Sequence, residues 1–378
     1  MKVLHLCMDH NFVVDSRKKF EEYYPGQNIF ILHKVIDQFR IVKDTTGFKI
    51  YNLQDEGDQD KVAELCSSEH VDKIVLHGMV PYMAKLLPKI KAVKDVKVYW
   101  LFWGYELYES IAYNKGYKLI DGHFNPFNPS SYYKPFFITK WIRKVLGKSR
   151  ADDYERIMTM VDYFCFWNYK DFQLLKHYYP LPMEFRFFAY SATGKTAQPP
   201  FLFDLENRAA KRILINHQAT AFGNHIPVLR KLAEIDKNNL FEKVVPLSYG
   251  FNIIRNEVLR KGKKYFGEKF VPILDYMTQN EYFEMLQTID IAIFGQHRQE
   301  ASGNIIQLLR NGVKVFLRND NNLLSYYREK GYVIFSYEDD LNDISALTSL
   351  TLEQKNHNRD IALRHQLRYD DFMPSLLD

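Results

Sequence analysis

Along the chain, short runs of consecutive apolar residues alternate with longer stretches in which apolar positions recur every three or four residues. In the first half, "KVLHLCM", "NIFILHK", "DKIVLHG", "VKVYWLFWG" and "DYFCFWN" read as buried strands, and "DSRKKFEEYY", "PYMAKLLPKIK" and "YKDFQLLKHYY" as helices. A polar, Pro- and Gly-rich stretch, "ATGKTAQPPFLFDLENRAA", then reads as a linker over residues 191–210. In the second half "KRILIN", "KVVPLSYG", "KFVPIL", "DIAIFGQ", "VKVFLRN" and "YVIFSY" are strands. The segments that separate them, from "NHIPVLRKLAEI" to "NNLLSYYREKG", carry helical periodicity. Thr278 and Glu281 have capping-box spacing, and Gly312 and Gly331 sit where helices stop. Strands that are apolar throughout, alternating with helices, predict parallel sheets covered on both faces. The expected fold is α/β, with two doubly wound domains, 1–190 and 211–352, and a C-terminal helix in 353–378 that returns to the first domain.

Composition adds little beyond class. With 378 residues, 46% hydrophobic and 26% charged, the chain can bury the cores of two ordinary globular domains. An acid and two histidines interrupt "MKVLHLCMDH", where a secretory leader needs an apolar core, and no apolar run reaches the length of a membrane span. The expected location is cytoplasmic. Cys7, Cys66 and Cys165 are far apart in apolar surroundings and suggest neither disulfides nor a zinc site. The net charge of +5 does not imply nucleic acid as a partner.

Two loops carry candidate chemistry. "FGQHRQEASGNIIQLL" leaves a strand and enters a helix through Ser302, Gly303 and Asn304, where unpaired backbone N–H groups and the helix dipole converge on one point. Arg298 could add a guanidinium to an anion held there. Equally, Ser302 could be an N-cap and the charges solvated. "INHQATAFGNHIPVL" offers Asn216, Thr220, Asn224 and His225 in the same strand-to-helix position, although His225 alone could be a capping or packing residue. Neither G-x-G-x-x-G nor G-x-x-x-x-G-K-[ST] occurs, which removes most support for a dehydrogenase or a kinase.

Taken in order, "HGMVPYMAKLL", "YWLFWGYELYE", "INHQATAFGNH", "VVPLSYG" and "FGQHRQEASGNIIQLLRNGVKVFL" resemble the bacterial TDP-N-acetylfucosamine:lipid II N-acetylfucosaminyltransferases over residues 70–110 and 210–335. The resemblance implies a GT-B glycosyltransferase with two Rossmann-like domains facing each other across a cleft. The C-terminal domain would hold a nucleotide diphosphate sugar. The N-terminal domain would hold an undecaprenyl-diphosphate-linked saccharide. It makes the two loops the diphosphate cradle and adds Tyr249 and Gly250 to the donor site. It also directs attention to Trp103, Gly104 and Tyr105 as acceptor-binding residues, and to Glu106, with His77 beside it, as catalytic groups. Glu106 could instead cap a helix and Trp103 could be core. The family commonly has Gly-Asn-Ser where this chain has Asn216-His217-Gln218, and Trp-Gly-x-Asp where it has Trp103 to Glu106. The first departure leaves the donor's identity open.

Sugar transferases of the other common fold hold Mg or Mn on Asp-x-Asp. Here the only such triplet, Asp58 to Asp60, lies in a polar stretch before a helix and reads as a solvated cap, so neither metal nor other cofactor is expected. Between residues 113 and 150, Lys140, Arg143, Lys144 and Lys148 interleave with aromatic residues such as Trp141. That mixture suits an anionic membrane surface, and an undecaprenyl-linked acceptor favours this over RNA or an ordinary core edge. A peripheral enzyme on the inner face of the cell membrane is expected. The alternative from another class is a non-catalytic nucleotide-sugar or polysaccharide-binding protein on the same fold, with a phosphorylase or epimerase as a weaker third.

Overall fold

A computed structural model describes residues 1–34, 39–121, 150–190, 192, 204–205 and 209–378. Two compact units result. The first comprises the described parts of Met1–Tyr117, Lys148–Ala197 and Leu367–Asp378, and the second those of Lys118–Gly147 and Gln198–Gln366. Lys140, Trp141, Arg143, Lys144 and Lys148, expected at a membrane, lie outside the described residues, as does most of the 191–210 linker.

In the first unit seven parallel strands, β1 (Val3–Cys7), β2 (Asn28–His33), β3 (Phe48–Tyr51), β4 (Lys73–His77), β5 (Lys97–Leu101), β6 (Tyr163–Phe166) and β7 (Glu184–Phe187), lie in the order β3-β2-β1-β4-β5-β6-β7. The described helices are α1 (Asn11–Tyr23), α2 (Glu56–Ser68), α3 (Met83–Val93), a π-helical turn Leu107–Ala112, α4 (Arg150–Met158) and α5 (Tyr169–Tyr178). The central strands β1 and β4 are buried almost throughout and mostly apolar, as burial on both faces favours. Strands β3 and β7 are edges, four residues each and only half-buried, so their sequences lack that signature. Helix α2 starts inside the stretch expected to be a polar lead-in. Asp55 caps it by accepting the N–H of Asp58, and Asp58 pairs with Lys61 while Asp60 pairs with Lys89. Those three acids therefore serve the helix.

The second unit repeats the winding with six parallel strands, β8 (Arg212–Ile215), β9 (Glu242–Pro246), β10 (Phe270–Ile273), β11 (Ile291–Ile293), β12 (Lys314–Leu317) and β13 (Phe335–Ser336), in the order β10-β9-β8-β11-β12-β13. Helices α6 (His225–Ile235), α7 (Asn252–Phe266), α8 (Gln279–Gln287), α9 (Ser302–Arg310), α10 (Asn322–Glu329) and α11 (Leu352–Arg364) connect and flank them. The Thr278–Glu281 capping box forms as its spacing predicts. In both sheets the order in which strands are added reverses between the first and fourth strands, β1/β4 and β8/β11, which pair in parallel. Ligands of such folds bind at the carboxyl ends beside that point.

The C-terminus departs from expectation. Helix α11 stays with the second unit, where Arg359 donates to the Arg310 carbonyl (3.0 Å) and Asn358 pairs both ways with the Val333 backbone. It is the following tail, Leu367–Asp378, that belongs to the first unit. Tyr369, Phe372, Met373, Leu376 and Leu377 are buried in its core, and Tyr24 donates its hydroxyl to the Met373 carbonyl. Apolar residues crowd this tail, whereas α11 carries charge on most faces.

Candidate functional site

In the second unit the loops leaving β8 and β11 meet through two asparagines. Asn216 follows β8 in a left-handed conformation (φ +57°); its Oδ1 accepts the Gly295 N–H and its Nδ2 donates to the Gly223 carbonyl, both at 2.8 Å. Asn224, also left-handed and fully buried, donates from Nδ2 to the carbonyls of Leu119, Phe222 and Gly295 and accepts the Asp121 N–H on Oδ1. Both had been expected to bind a donor. Both side chains join loops from buried positions, so they shape the site from beneath. His225 opens α6 in full burial. Burial first, then the nearby His217, push its pKa down to about 3 against weaker pulls from Glu300 and the Thr220 backbone. It is a neutral ring, and the hydroxyl of Thr220 close by is shut from solvent without a partner.

Around this base lie groups that remain accessible. Glu300, with its side chain 12% exposed, receives Gln218 Nε2, lies 3.7 Å from His217 Nε2 and pairs with Arg298 Nε at 3.4 Å. Burial raises its pKa, but Arg298 first, then His217 and the hydrogen bonds from Arg298 and Gln218, lower it on balance, and the carboxylate stays ionised. The Arg298 guanidinium also lies 4.9 Å over the Phe222 ring. Tyr249, 53% exposed, is near enough to Glu300 for the carboxylate to add to the rise that burial causes in its phenol. Gly250, at φ +116°, lets this loop close on the β8 loop; a Cβ there would meet the Ala219 carbonyl oxygen at 2.3 Å.

Helix α9 begins at Ser302 behind a left-handed Ala301, and no side chain caps it. Ser302 is thus not the N-cap, and Ser302, Gly303 and Asn304 form the first turn, whose N–H groups have no intrahelical acceptor. A Cβ built on Gly303 meets nothing within 4 Å. The helix start is open to an anion.

Next to it runs an ionic network that the sequence reading did not identify. Arg318, after β12, holds Asp121 by two bonds of 2.6 and 2.9 Å and pairs with Glu338 at 2.6 Å. His297 lies with Nε2 at 3.0 Å from Asp121 and Nδ1 at 2.7 Å from Asp320. Burial would lower the His297 pKa, but the two carboxylates raise it on balance, whereas the Asp121 carboxyl is held well below the usual range. Only the strand-end position of Arg318 was available as a signal.

In the first unit the loops after β4 and β5 interlock. Glu106 Oε1 accepts the Met79 N–H at 3.0 Å, Tyr105 donates its hydroxyl to the Met79 carbonyl at 2.6 Å, and Gly78 (φ +75°) leaves room for the Trp103 ring. Gly104 turns the chain at φ +105° and accepts the Tyr108 N–H. Segments far apart in sequence are therefore brought together. Two expected roles change, however. Glu106 is 0% exposed, with Oε2 lacking a partner, and burial raises its pKa to about 7. His77 is equally buried and lies 3.0 Å from His5 Nδ1, its own pKa lowered to about 3. Both are shut from solvent, and Glu106 does not cap the following turn. Missed were His10, Phe12 and Tyr190, which lie around Trp103. The first two follow β1 at the point where the strand order reverses, a position that could have marked them.

Residues 187–363 match the model of the 4-alpha-L-fucosyltransferase family, glycosyl transferase group 56. Among solved structures, a glycosyltransferase from Rickettsia africae is similar at 12% identity and a TM-score of 0.59, covering 97% of this chain and 94% of its own. Sucrose-phosphate synthase from Thermosynechococcus elongatus is similar at 9% identity and a TM-score of 0.62, covering 98% and 96%. Anabaena HepE, solved in complex with UDP and glucose, is similar at 8% identity and a TM-score of 0.57, covering 98% and 97%. At such identities the likeness concerns fold, and the family match adds the chemistry. The protein is a glycosyltransferase of GT-B fold whose residues 187–363 match the 4-alpha-L-fucosyltransferase family.

Proposed function

We propose that the protein transfers an acetamido-deoxyhexose, Fuc4NAc-like, from a TDP-linked donor to an undecaprenyl-diphosphate-linked saccharide in surface polysaccharide synthesis. Donor binding belongs to the second unit and acceptor binding to the first. One observation carries the reading. The uncapped start of α9, with open space over Gly303, follows Arg298 on the loop that leaves β11. Oriented N–H groups and a guanidinium stabilise the charge that develops on a leaving diphosphate, the task that a metal performs elsewhere. HepE, of like fold, was solved with UDP, which supports a nucleotide diphosphate as the ligand class.

A thermal-shift panel of TDP, UDP and GDP tests the donor, because a ligand bound only by the folded state raises its stability. TDP should raise the unfolding midpoint well above the other two; no response, or one confined to UDP or GDP, removes the TDP assignment. Gly303→Val should obstruct the approach and abolish the response in a folded protein. Arg298→Ala should weaken TDP by about 1.5–3 kcal/mol while affecting thymidine little. A second reading, binding without transfer, draws on the burial of Glu106 and His77, which leaves the acceptor without an assigned base. Turnover of a TDP-sugar with a lipid-linked acceptor separates the two.

A further inference from the structure

We propose that His10, Phe12, Trp103 and Tyr190 form a saccharide-binding ledge in the first unit. Phe12 would stack on the C–H face of a hexose ring of the acceptor, and His10 Nε2–H would donate to one of its hydroxyls. The assignment rests on the transferase reading and names the acceptor's contact.

Position is the first argument. β1 ends at Cys7 and β4 at His77, and the sheet order puts the reversal point between them. The residues leaving β1 there are Met8, Asp9 and His10. The Asp9 carboxylate accepts the backbone N–H groups of Arg40, Ile41 and Val42, which pins this exit.

Rigidity is the second. The His10 ring lies 4.4 Å from that of Trp103, and Phe12 stacks on Tyr190 at 4.4 Å and 14° with Trp103 at its edge, 5.8 Å away. Trp103 donates Nε1–H to the Tyr190 hydroxyl, and the Tyr190 carbonyl accepts the hydroxyl of Tyr369 at 2.6 Å. A Cβ on Gly78 would lie 2.9 Å from Trp103 Cδ2, so the indole has its place only because residue 78 is glycine. Phe12 nonetheless remains 37% exposed. A pyranose offers an apolar face of C–H bonds with hydroxyls at its rim. A flat aromatic beside one fixed donor complements both, as small-molecule sites do when apolar walls carry few polar groups.

The chemistry of His10 is set by its own helix. Nδ1 accepts the Phe12 N–H at 3.2 Å as the N-cap of α1, so in the neutral ring the proton is on Nε2. Burial lowers its pKa, against the pull of Asp9, and keeps the ring neutral near pH 7. His10 is therefore a hydrogen-bond donor and a binding residue, and not the base.

Two variants preserve the local fold. His10→Asn keeps an N-cap acceptor but lacks the Nε2–H. Phe12→Leu keeps apolar bulk and loses the flat face. Saturation-transfer NMR with the methyl glycosides of glucose, N-acetylglucosamine, mannose and galactose at millimolar concentration should give a signal from at least one on the wild type. Either variant should weaken that binding about tenfold. With a lipid-linked acceptor, the variants should raise the acceptor KM and leave the donor KM unchanged. The ledge is overturned if no glycoside binds the wild type, or if both variants bind as it does. TDP is assayed on the same protein: wild type that answers to a hexoside and not to TDP upholds the ledge and removes the donor reading.

Discussion

At the scale of single residues, burial decides what a titratable group can do. Glu106 has its pKa raised to about 7, chiefly by burial, although its own backbone and Met79 oppose the shift. A carboxyl with a folded pKa above its unfolded value of about 4.3 contributes stability that is fully present below that value and lost as pH rises through the folded one. Wild type should therefore lose on the order of 3 kcal/mol through this group between pH about 5 and about 8, and Glu106→Gln should not. Urea unfolding at the two pH values reads the difference. The same variant examines catalysis, since removal of a general base costs about 10²–10⁴ in kcat. A loss below about tenfold is expected, as befits a side chain that holds Met79.

Between elements, the ionic network in the second unit ties the loops after β11 and β12 to the segment at Asp121. The charges facing His297 are Asp121 and Asp320, with Arg318 beside it; Lys118 and Glu338 complete the network. With its pKa raised in the folded state, His297 contributes stability fully present below about 6.5 and lost as pH rises through the folded value. Unfolding followed from mildly acidic to mildly alkaline pH should show that decline, and His297→Gln should flatten it. An unchanged profile would mean that the imidazole is not charged by its neighbours. Asn216 performs a similar task without charge. Asn216→Ala would orphan the Gly295 N–H and the Gly223 carbonyl in the interior, at about 1–3 kcal/mol for each.

For the whole molecule, the transferase reading concerns how a charged donor and a lipid-borne acceptor are served. If α9 and Arg298 carry the diphosphate charge, transfer should survive EDTA, and strict dependence on Mg or Mn would overturn that assignment. No helix among the described residues is long and apolar enough to cross a membrane. The proposed contact with anionic lipid rests on Lys140, Arg143, Lys144 and Lys148, outside those residues. Changing Lys140, Arg143, Lys144 and Lys148 to Glu should release the protein from anionic vesicles, each cation contributing about 1 kcal/mol, and leave the TDP response intact. Vesicle sedimentation checks this; binding that persists in the quadruple variant would move the docking surface elsewhere.

Sequence periodicity was sufficient for both sheets, their central strands and the helix stops, because burial on two faces writes an unbroken apolar run into a strand. Edges β3 and β7 lack that run, and α2 hid in its own polar cap. The open start of α9 was legible for the same local reason, since a helix's first turn leaves its N–H groups unpaired wherever it is. What tertiary structure alone decided was which polar groups were free to act. Asn216 meets Gly295 across 79 residues, Trp103 meets Tyr190 across 87, and His297 meets Asp121 across 176. Burial, pairing and protonation are set by such distant neighbours, and no pattern of nearby residues contains them.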